Sequence, residues 1–430
     1  MSTISKPAIL GGVPVRSAPL SEVHNIDHEE ISAVEQVLRK GPLSGYLGTY
    51  SEKFLGGEQV RHFEKNFAEK FHVRHAISFN SATTALHAAM VALGVGPGDE
   101  VIVPPYSMSA TAMAPIMNGA VPIFADIDPD TFCIDPKAIK KVLSKNTKAI
   151  IAVNLFGQSA NYKEIFSLID RNKVKIVEDN AQAIGATHHN ELTGTIADIG
   201  VFSLNVHKHI QAGEGGILVT NDDNLALRAQ LSRNHGESVV DQMEDYNLGP
   251  IIGSNYRMSE LHAAVSNVQL NKLDKLLVSR RQLVEYLESK LKDIDGIKLP
   301  VVAEGNTHVY YRYVFKIDSN LLGIDRSTLL RAMEAEGFPL SPGYVKPIYM
   351  LPVFQQKQAF NNSSFPFVFE LYDGNPDYKS GSCPVVERMY ETELTLTDIC
   401  QFPNTKDNID EFMKALVRIL DFKDEIKSAV

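Results

Sequence analysis

The run Phe202-Ser203-Leu204-Asn205-Val206-His207-Lys208-His209-Ile210-Gln211-Ala212-Gly213-Glu214-Gly215-Gly216 decides the reading of this chain. It joins two apolar stretches of strand length, Ile199–Leu204 and Gly216–Thr220, and its glycine-rich end turns the chain from one into the other. Lys208 therefore sits just beyond a core strand. An amine kept close to a buried site sheds its proton more readily and can attack a carbonyl carbon to form a Schiff base. Most lysines are surface charges, but the two flanking core strands, with His207 and His209 on either side, weaken that reading here.

Working outward, short apolar runs alternate with helical patterns. Strands are predicted at Ala76–Phe79, Val101–Val103, Val121–Phe124, Ala149–Val153 and Val174–Val177, which with the first two gives a sheet of about seven strands. Val60, Phe63, Phe67 and Phe71 recur at helical spacing, and a helix is predicted over Thr83–Leu93. This alternation predicts an α/β fold with a mainly parallel sheet covered by helices on both faces. A long helical pattern from Met258 to Leu291 stops at Gly296. Beyond it come a strand at Val309–Ile317, a helix from about Ser327 to Glu336 and a last amphipathic helix at Ile409–Leu420. The expected organisation is an N-terminal arm (1–29), a large domain (30–270), a linking helix (271–296) and a smaller C-terminal α/β domain (297–430). Within the last, Gln355–Ser382 reads as a long loop or insertion.

Three other segments bear on chemistry. Asn80-Ser81-Ala82-Thr83-Thr84-Ala85-Leu86 passes from strand to helix and would offer backbone N–H groups and hydroxyls to a phosphate, although an ordinary Ser/Thr cap is the commoner meaning of such a stretch. Lys175-Ile176-Val177-Glu178-Asp179-Asn180-Ala181-Gln182 ends a buried strand in two acids, at the end where α/β folds bind ligands. Adjacent strand residues face opposite ways, and Glu178 is assigned the plain structural role. Gly253-Ser254-Asn255-Tyr256-Arg257-Met258-Ser259-Glu260 opens the long helix. Gly94-Val95-Gly96-Pro97-Gly98 follows a helix and precedes a strand, the reverse of a dinucleotide-binding turn, and no phosphate-loop or metal-binding histidine motif occurs.

Composition narrows the class. The chain has 430 residues, 44% hydrophobic and 22% charged, enough for two domains with a substantial core. A formal net charge of −10 with interspersed signs disfavours nucleic acid and anionic lipid as partners. Three cysteines without a C-x-x-C pair suit a reducing compartment, and no apolar run is long enough to span a bilayer, so a cytoplasmic protein is expected.

In this order the four segments resemble the DegT/DnrJ/EryC1/StrS family of sugar aminotransferases, whose pattern F-S-x-x-x-x-K-x-x-x-x-G-E-G-G is filled at every fixed place. The likeness extends to Gly96–Pro104, Asp126-Ile127-Asp128-Pro129 and Asn255–Glu260. It is looser in the C-terminal third, where Tyr310–Phe315 and Cys383–Arg388 look like the branch that aminates ketocyclitols. The resemblance implies the fold of aspartate aminotransferase and the cofactor pyridoxal 5'-phosphate (PLP), with pyridoxamine 5'-phosphate formed between half-reactions. By position, Lys208 would hold the cofactor as a Schiff base and move the proton. Asp179 would pair with the pyridine nitrogen, where at about 3 Å and an effective dielectric of about 20 the attraction is about 5 kcal/mol. Gln182 would meet the ring hydroxyl. Ala82, Thr83 and Ser203 would grip the phosphate, and Asn255 would reach it from the neighbouring subunit of a homodimer with shared sites.

The resemblance also implies L-glutamate or L-glutamine as donor and a nucleotide-linked keto sugar or a ketocyclitol as acceptor. Met108 stands where the family stacks an aromatic ring on the cofactor, and a thioether packs there instead. Asn154 and Ala82 replace the usual histidine and glycine. Two other readings compete: a pyridoxamine-dependent sugar dehydratase, whose pattern His209 fits but lysine at 208 does not, and a non-catalytic regulatory protein of the same fold.

Overall fold

The computed structural model describes residues 5–21, 25–243, 248 and 251–429. Its main sheet holds β1 (His75–Phe79), β2 (Glu100–Val103), β3 (Val121–Phe124), β4 (Thr147–Val153), β5 (Lys175–Asp179), β6 (Ile199–Ser203) and β7 (Gly216–Thr220), in the order β1-β7-β6-β5-β4-β2-β3. The pairs β2–β3, β2–β4, β4–β5 and β5–β6 are parallel, while β7 runs antiparallel to both its neighbours. Strands buried on both faces read as continuous apolar runs, as Ala149–Val153 does, and that is why the sheet was legible. The predicted seven strands are all present, with ends moved by at most two residues.

Helices lie against both faces of this sheet. On one face α1 (His28–Lys40) and α2 (Glu58–Phe71) pack on the long helix that begins at Glu260, and Phe63, Phe67, Phe71 and Phe202 form one aromatic cluster. On the other lie α3 (Ala82–Ala92) and α4 (Ala110–Met117), whose alanine-rich surfaces allow close approach. The glycine that opens β7 is required by this packing. A Cβ on Gly216 would lie 2.4 Å from the Ala82 nitrogen, so any side chain would push α3 off the sheet.

The long helix α5 runs Glu260–Leu291, capped by the Ser259 hydroxyl, and the expected boundary at 270/271 falls inside it. It leads to a second core built on β8 (Ile297–Lys298), β9 (Tyr313–Ile317), β10 (Leu394–Thr397), α6 (Arg326–Ala335) and α7 (Lys406–Asp421). The strand predicted at Val309–Ile317 is shorter than expected. Residues 309–312 leave the ladder because Val309 and Tyr311 donate their N–H groups to the carbonyls of Gly157 and Phe156, and Tyr310 adopts φ 50. The N-terminal arm, of which residues 1–4 and 22–24 lie outside the described residues, docks on this second core. The buried Glu336 carboxylate accepts from the Ala8 and Val15 N–H groups and pairs with Arg418.

The insertion at Gln355–Ser382 lies against the β3 edge of the main sheet. Tyr378 donates its hydroxyl to the Pro122 carbonyl on β3 (2.8 Å), and Tyr372 donates to Glu100 on β2 (2.8 Å). Phe354, Phe367, Tyr372 and Tyr378 thereby belong to the core of the main sheet, although they fall in the stretch expected to form the small domain. The insertion thus covers part of this edge strand.

Candidate active site

One cavity of about 350 Å³ opens at the carboxyl ends of β1, β5 and β6, where β7 begins. It is the ligand position that α/β sheets favour. Ala82, Thr83, Met108, Asp179, Gln182, Ser203 and Lys208 all line it, which brings together every residue that the resemblance placed at the cofactor except Asn255. Asn255 is exposed and accepts from the Arg257 guanidinium (2.7 Å).

At one end of the cavity α3 begins. The Ser81 hydroxyl accepts from the Thr84 N–H (3.2 Å) and leaves the N–H groups of Ala82 and Thr83 without a protein acceptor among the described residues. Free N–H groups at the start of a helix suit an anion. Ser203 lies beside them at the end of β6, its oxygen accepting from the Asn205 N–H (3.3 Å).

Asp179 closes the opposite end. It is buried, and its oxygens accept from the Thr111 hydroxyl (2.8 Å) and the Ala181 N–H (3.3 Å). Burial raises its carboxyl above the usual range, against the lowering effect of these two donors and of Lys208. Glu178, one residue earlier, turns to the other side of the sheet. It accepts from the N–H groups of Gly194 (2.6 Å), Ile196 (2.6 Å) and Ala197 (2.8 Å), which fixes the loop entering β6. Gln182 has its oxygen committed to the Phe156 N–H (2.8 Å), so only its amide donors remain for a ligand.

Between the two ends stands Lys208. Its loop is a narrow excursion from β6 to β7, held by Leu204 N–H to Gly215 O (2.9 Å), Val206 N–H to Gly213 O (2.9 Å) and Lys208 N–H to Asn205 O (2.9 Å). Burial pushes the amine down to about 8, with Asp179 pulling the other way. Close to half of such amines are neutral near pH 8, and a neutral amine can act as a nucleophile or a base. His209 turns inward instead, pairing with the Val309 carbonyl (2.9 Å), and burial keeps it neutral.

Several residues of the site escaped the sequence reading. Thr111 and Ser107 fall in the Pro105–Thr111 segment, where only Met108 had been singled out. Met108 is 51% exposed at the cavity, so it presents its thioether to the opening. Tyr311 and Tyr344 close the wall contributed by the C-terminal third, with the Tyr344 N–H donating to the buried Tyr106 hydroxyl (2.7 Å). Tyr311 lies in a stretch noted only for resemblance, and Tyr344 follows a Pro-Gly turn that carried no signal. Asn154 does not line the cavity. Its side chain is spent on Asn180 (2.7 Å), the Tyr162 hydroxyl (2.8 Å) and the Ala160 N–H (2.9 Å), a buried polar network beneath the sheet.

The model of the DegT/DnrJ/EryC1/StrS aminotransferase family matches residues 25–401. The chain is 36% identical over 299 residues to the GDP-perosamine synthase of Caulobacter vibrioides, covering 69% of this chain and 79% of that one. It is 36% identical over 362 residues to the L-glutamine:2-deoxy-scyllo-inosose aminotransferase of Streptomyces kanamyceticus, covering 81% and 83%. Among solved structures, an aminotransferase from Psychrobacter cryohalolentis superimposes with a TM-score of 0.79 at 27% identity, over 94% of this chain and 99% of that one.

Proposed function

Because the chain belongs to the DegT/DnrJ/EryC1/StrS aminotransferase family, we propose that its cavity binds PLP and that it transfers an amino group from L-glutamate or L-glutamine to a keto sugar or a ketocyclitol. The observation that carries this reading is a single cavity holding a lysine of lowered basicity between a helix start with free N–H groups and a buried carboxylate. Its donor set fits the cofactor: anion donors at one end, an acid at the other and an amine between them. The cofactor supplies an electron sink for the bonds made and broken at the amino carbon.

The residues divide the work. Ala82, Thr83 and Ser203 would bind the phosphate, the Gln182 amide would donate to the ring hydroxyl, and Asp179 would keep the pyridine nitrogen protonated. The Lys208 amine, neutral above about pH 8, would take the proton from the donor's α-carbon and hold it at Nζ. Met108 would pack its thioether on the ring. The acceptor class rests on the relatives' names, and lysine at 208 favours amination over dehydration.

The working unit we infer is a homodimer in which Asn255 reaches the phosphate of the other copy. Ile31, Leu38, Leu43, Leu47 and Tyr50 are exposed along α1 and the segment after it, and Ile252, three residues before Asn255, is 86% exposed. An apolar surface of this kind suits a second copy. The cell compartment we assign is the cytoplasm. The three cysteines are unpaired and buried, and no helix among the described residues is long and apolar enough to cross a membrane.

Two experiments test the reading. Purified protein with added PLP should show a visible absorbance band that L-glutamate or L-glutamine bleaches; a wild type without that band would end the proposal. Mixing inactive Lys208→Ala and Asn255→Ala proteins should restore activity through one intact site per mixed dimer, and the absence of recovery would remove the shared site.

A further inference from the structure

The geometry points to Tyr311 as a positioning residue for Lys208: a fixed aromatic cover that holds the free amine against the cavity wall and keeps water from it. The inference rests on the proposed role of Lys208 and adds the group that controls it. The Lys208 Nζ lies 4.3 Å from the centre of the Tyr311 ring, so the ring occupies space beside the amine that water would otherwise fill. Tyr311 itself is only 6% exposed.

The ring is held there by its backbone. Tyr311 donates its N–H to the Phe156 carbonyl (2.7 Å), and Val309 donates to Gly157 (2.8 Å). The buried Arg280 of α5 donates to the carbonyls of Tyr310 (3.1 Å) and Tyr311 (3.2 Å), and Gln401 also donates to Tyr311 (3.2 Å). Tyr310 occupies the left-handed region at φ 50, a conformation that a bulky residue keeps only where its surroundings impose it. A Cβ on Gly157 would lie 2.7 Å from the Tyr310 nitrogen, so the close approach of the two loops depends on that glycine. The lysine loop is tied to the same segment, since His209 pairs with the Val309 carbonyl. Lys208 and Tyr311 are therefore fixed relative to each other from both sides.

Other titratable groups near the amine are Asp179 on β5, His207 and Glu214 on the lysine loop, and Tyr344 from the C-terminal wall. His209 and Arg280 lie behind the loop. Asp179 favours the charged amine, so the low basicity comes from burial, and the Tyr311 ring is one of the groups packed beside the amine.

The test uses cofactor-free full-length protein. The pH dependence of Lys208 acetylation by acetic anhydride, read by peptide mass spectrometry, should have its midpoint near 8 in the wild type. Tyr311→Phe keeps the ring and should leave the midpoint in place. Tyr311→Ala admits water and should raise it by about one unit or more, lowering acetylation at pH 8 several-fold. If the alanine protein does not fold, Tyr311→Gln opens the same side of the amine. A midpoint unchanged in the opened variant, or moved as far by Tyr311→Phe, would overturn the inference. The proposed function fails separately, in the wild type with PLP.

Discussion

The two walls of the cavity are built on different principles. The sheet wall carries Asp179 and Ser203 at the ends of strands, Ala82 at the helix start that follows one, and Lys208 on the short loop between two adjacent strands, so that each is placed by the sheet or by local hydrogen bonds. The C-terminal wall carries Tyr311 and Tyr344 on segments outside any ladder, and these are fixed by hydrogen bonds to remote loops. The first wall supplies charge and donors, and the second supplies aromatic surface. On the proposed reading the reacting groups are carried by the sheet and its adjoining loops, while the cover of the amine comes from a part assembled only when the chain closes on itself.

Changes on the sheet wall should therefore cost activity, and changes elsewhere should cost stability or basicity. The largest effect is expected from Lys208→Ala, which should lower kcat/KM by at least about a thousand-fold and abolish the absorbance band. Wild-type capture of PLP should accelerate as pH rises through about 8, because the amine is charged below that value and neutral above it. A capture rate flat between pH 7 and 9 would contradict the burial argument.

Next in size is Asp179→Asn, which keeps the shape and the Thr111 contact but removes the charge. Steady-state kinetics should show a fall in kcat of about 100-fold, with much of the PLP still bound. Glu178→Gln sharpens the comparison within one strand. Its new amide group would face backbone donors, so urea unfolding should reveal a loss of about 2 kcal/mol, while kcat of the folded enzyme stays within about twofold. Equal losses of kcat from the two substitutions would erase the distinction between the faces of β5. The smallest effect is expected from Tyr378→Phe at the covered edge of the sheet, about 1 kcal/mol of stability and unchanged kinetics.

Local pattern explains what could be read in advance. The seven strands, α3 and α5 were legible because apolar periodicity is written within each segment, and Lys208, Asp179 and Ser203 were legible because they stand at the ends of those segments. Thr111 was harder to find, since nothing about a hydroxyl early in a helix announces an aspartate 68 positions away. The insertion could be recognised as irregular but not placed, because its anchors on Pro122 and Glu100 lie far back in the chain. The strand predicted from Val309 onward failed at its start for the same reason: competing carbonyls on a distant loop captured its N–H groups.

By itself the sequence determined that a lysine follows a core strand, that an acid ends another and that a small-residue helix begins nearby. These are properties of neighbouring residues and of strand alternation. Alternation also required Glu178 and Asp179 to diverge, but which of them met the cavity depended on what packed against each face. Only the tertiary structure gathered the segments at one end of the sheet and left Asn255 on the outer surface. It alone brought Tyr311 over the amine, 103 residues after the lysine it covers, because contacts at that separation come from packing and from the hydrogen bonds that closure makes available.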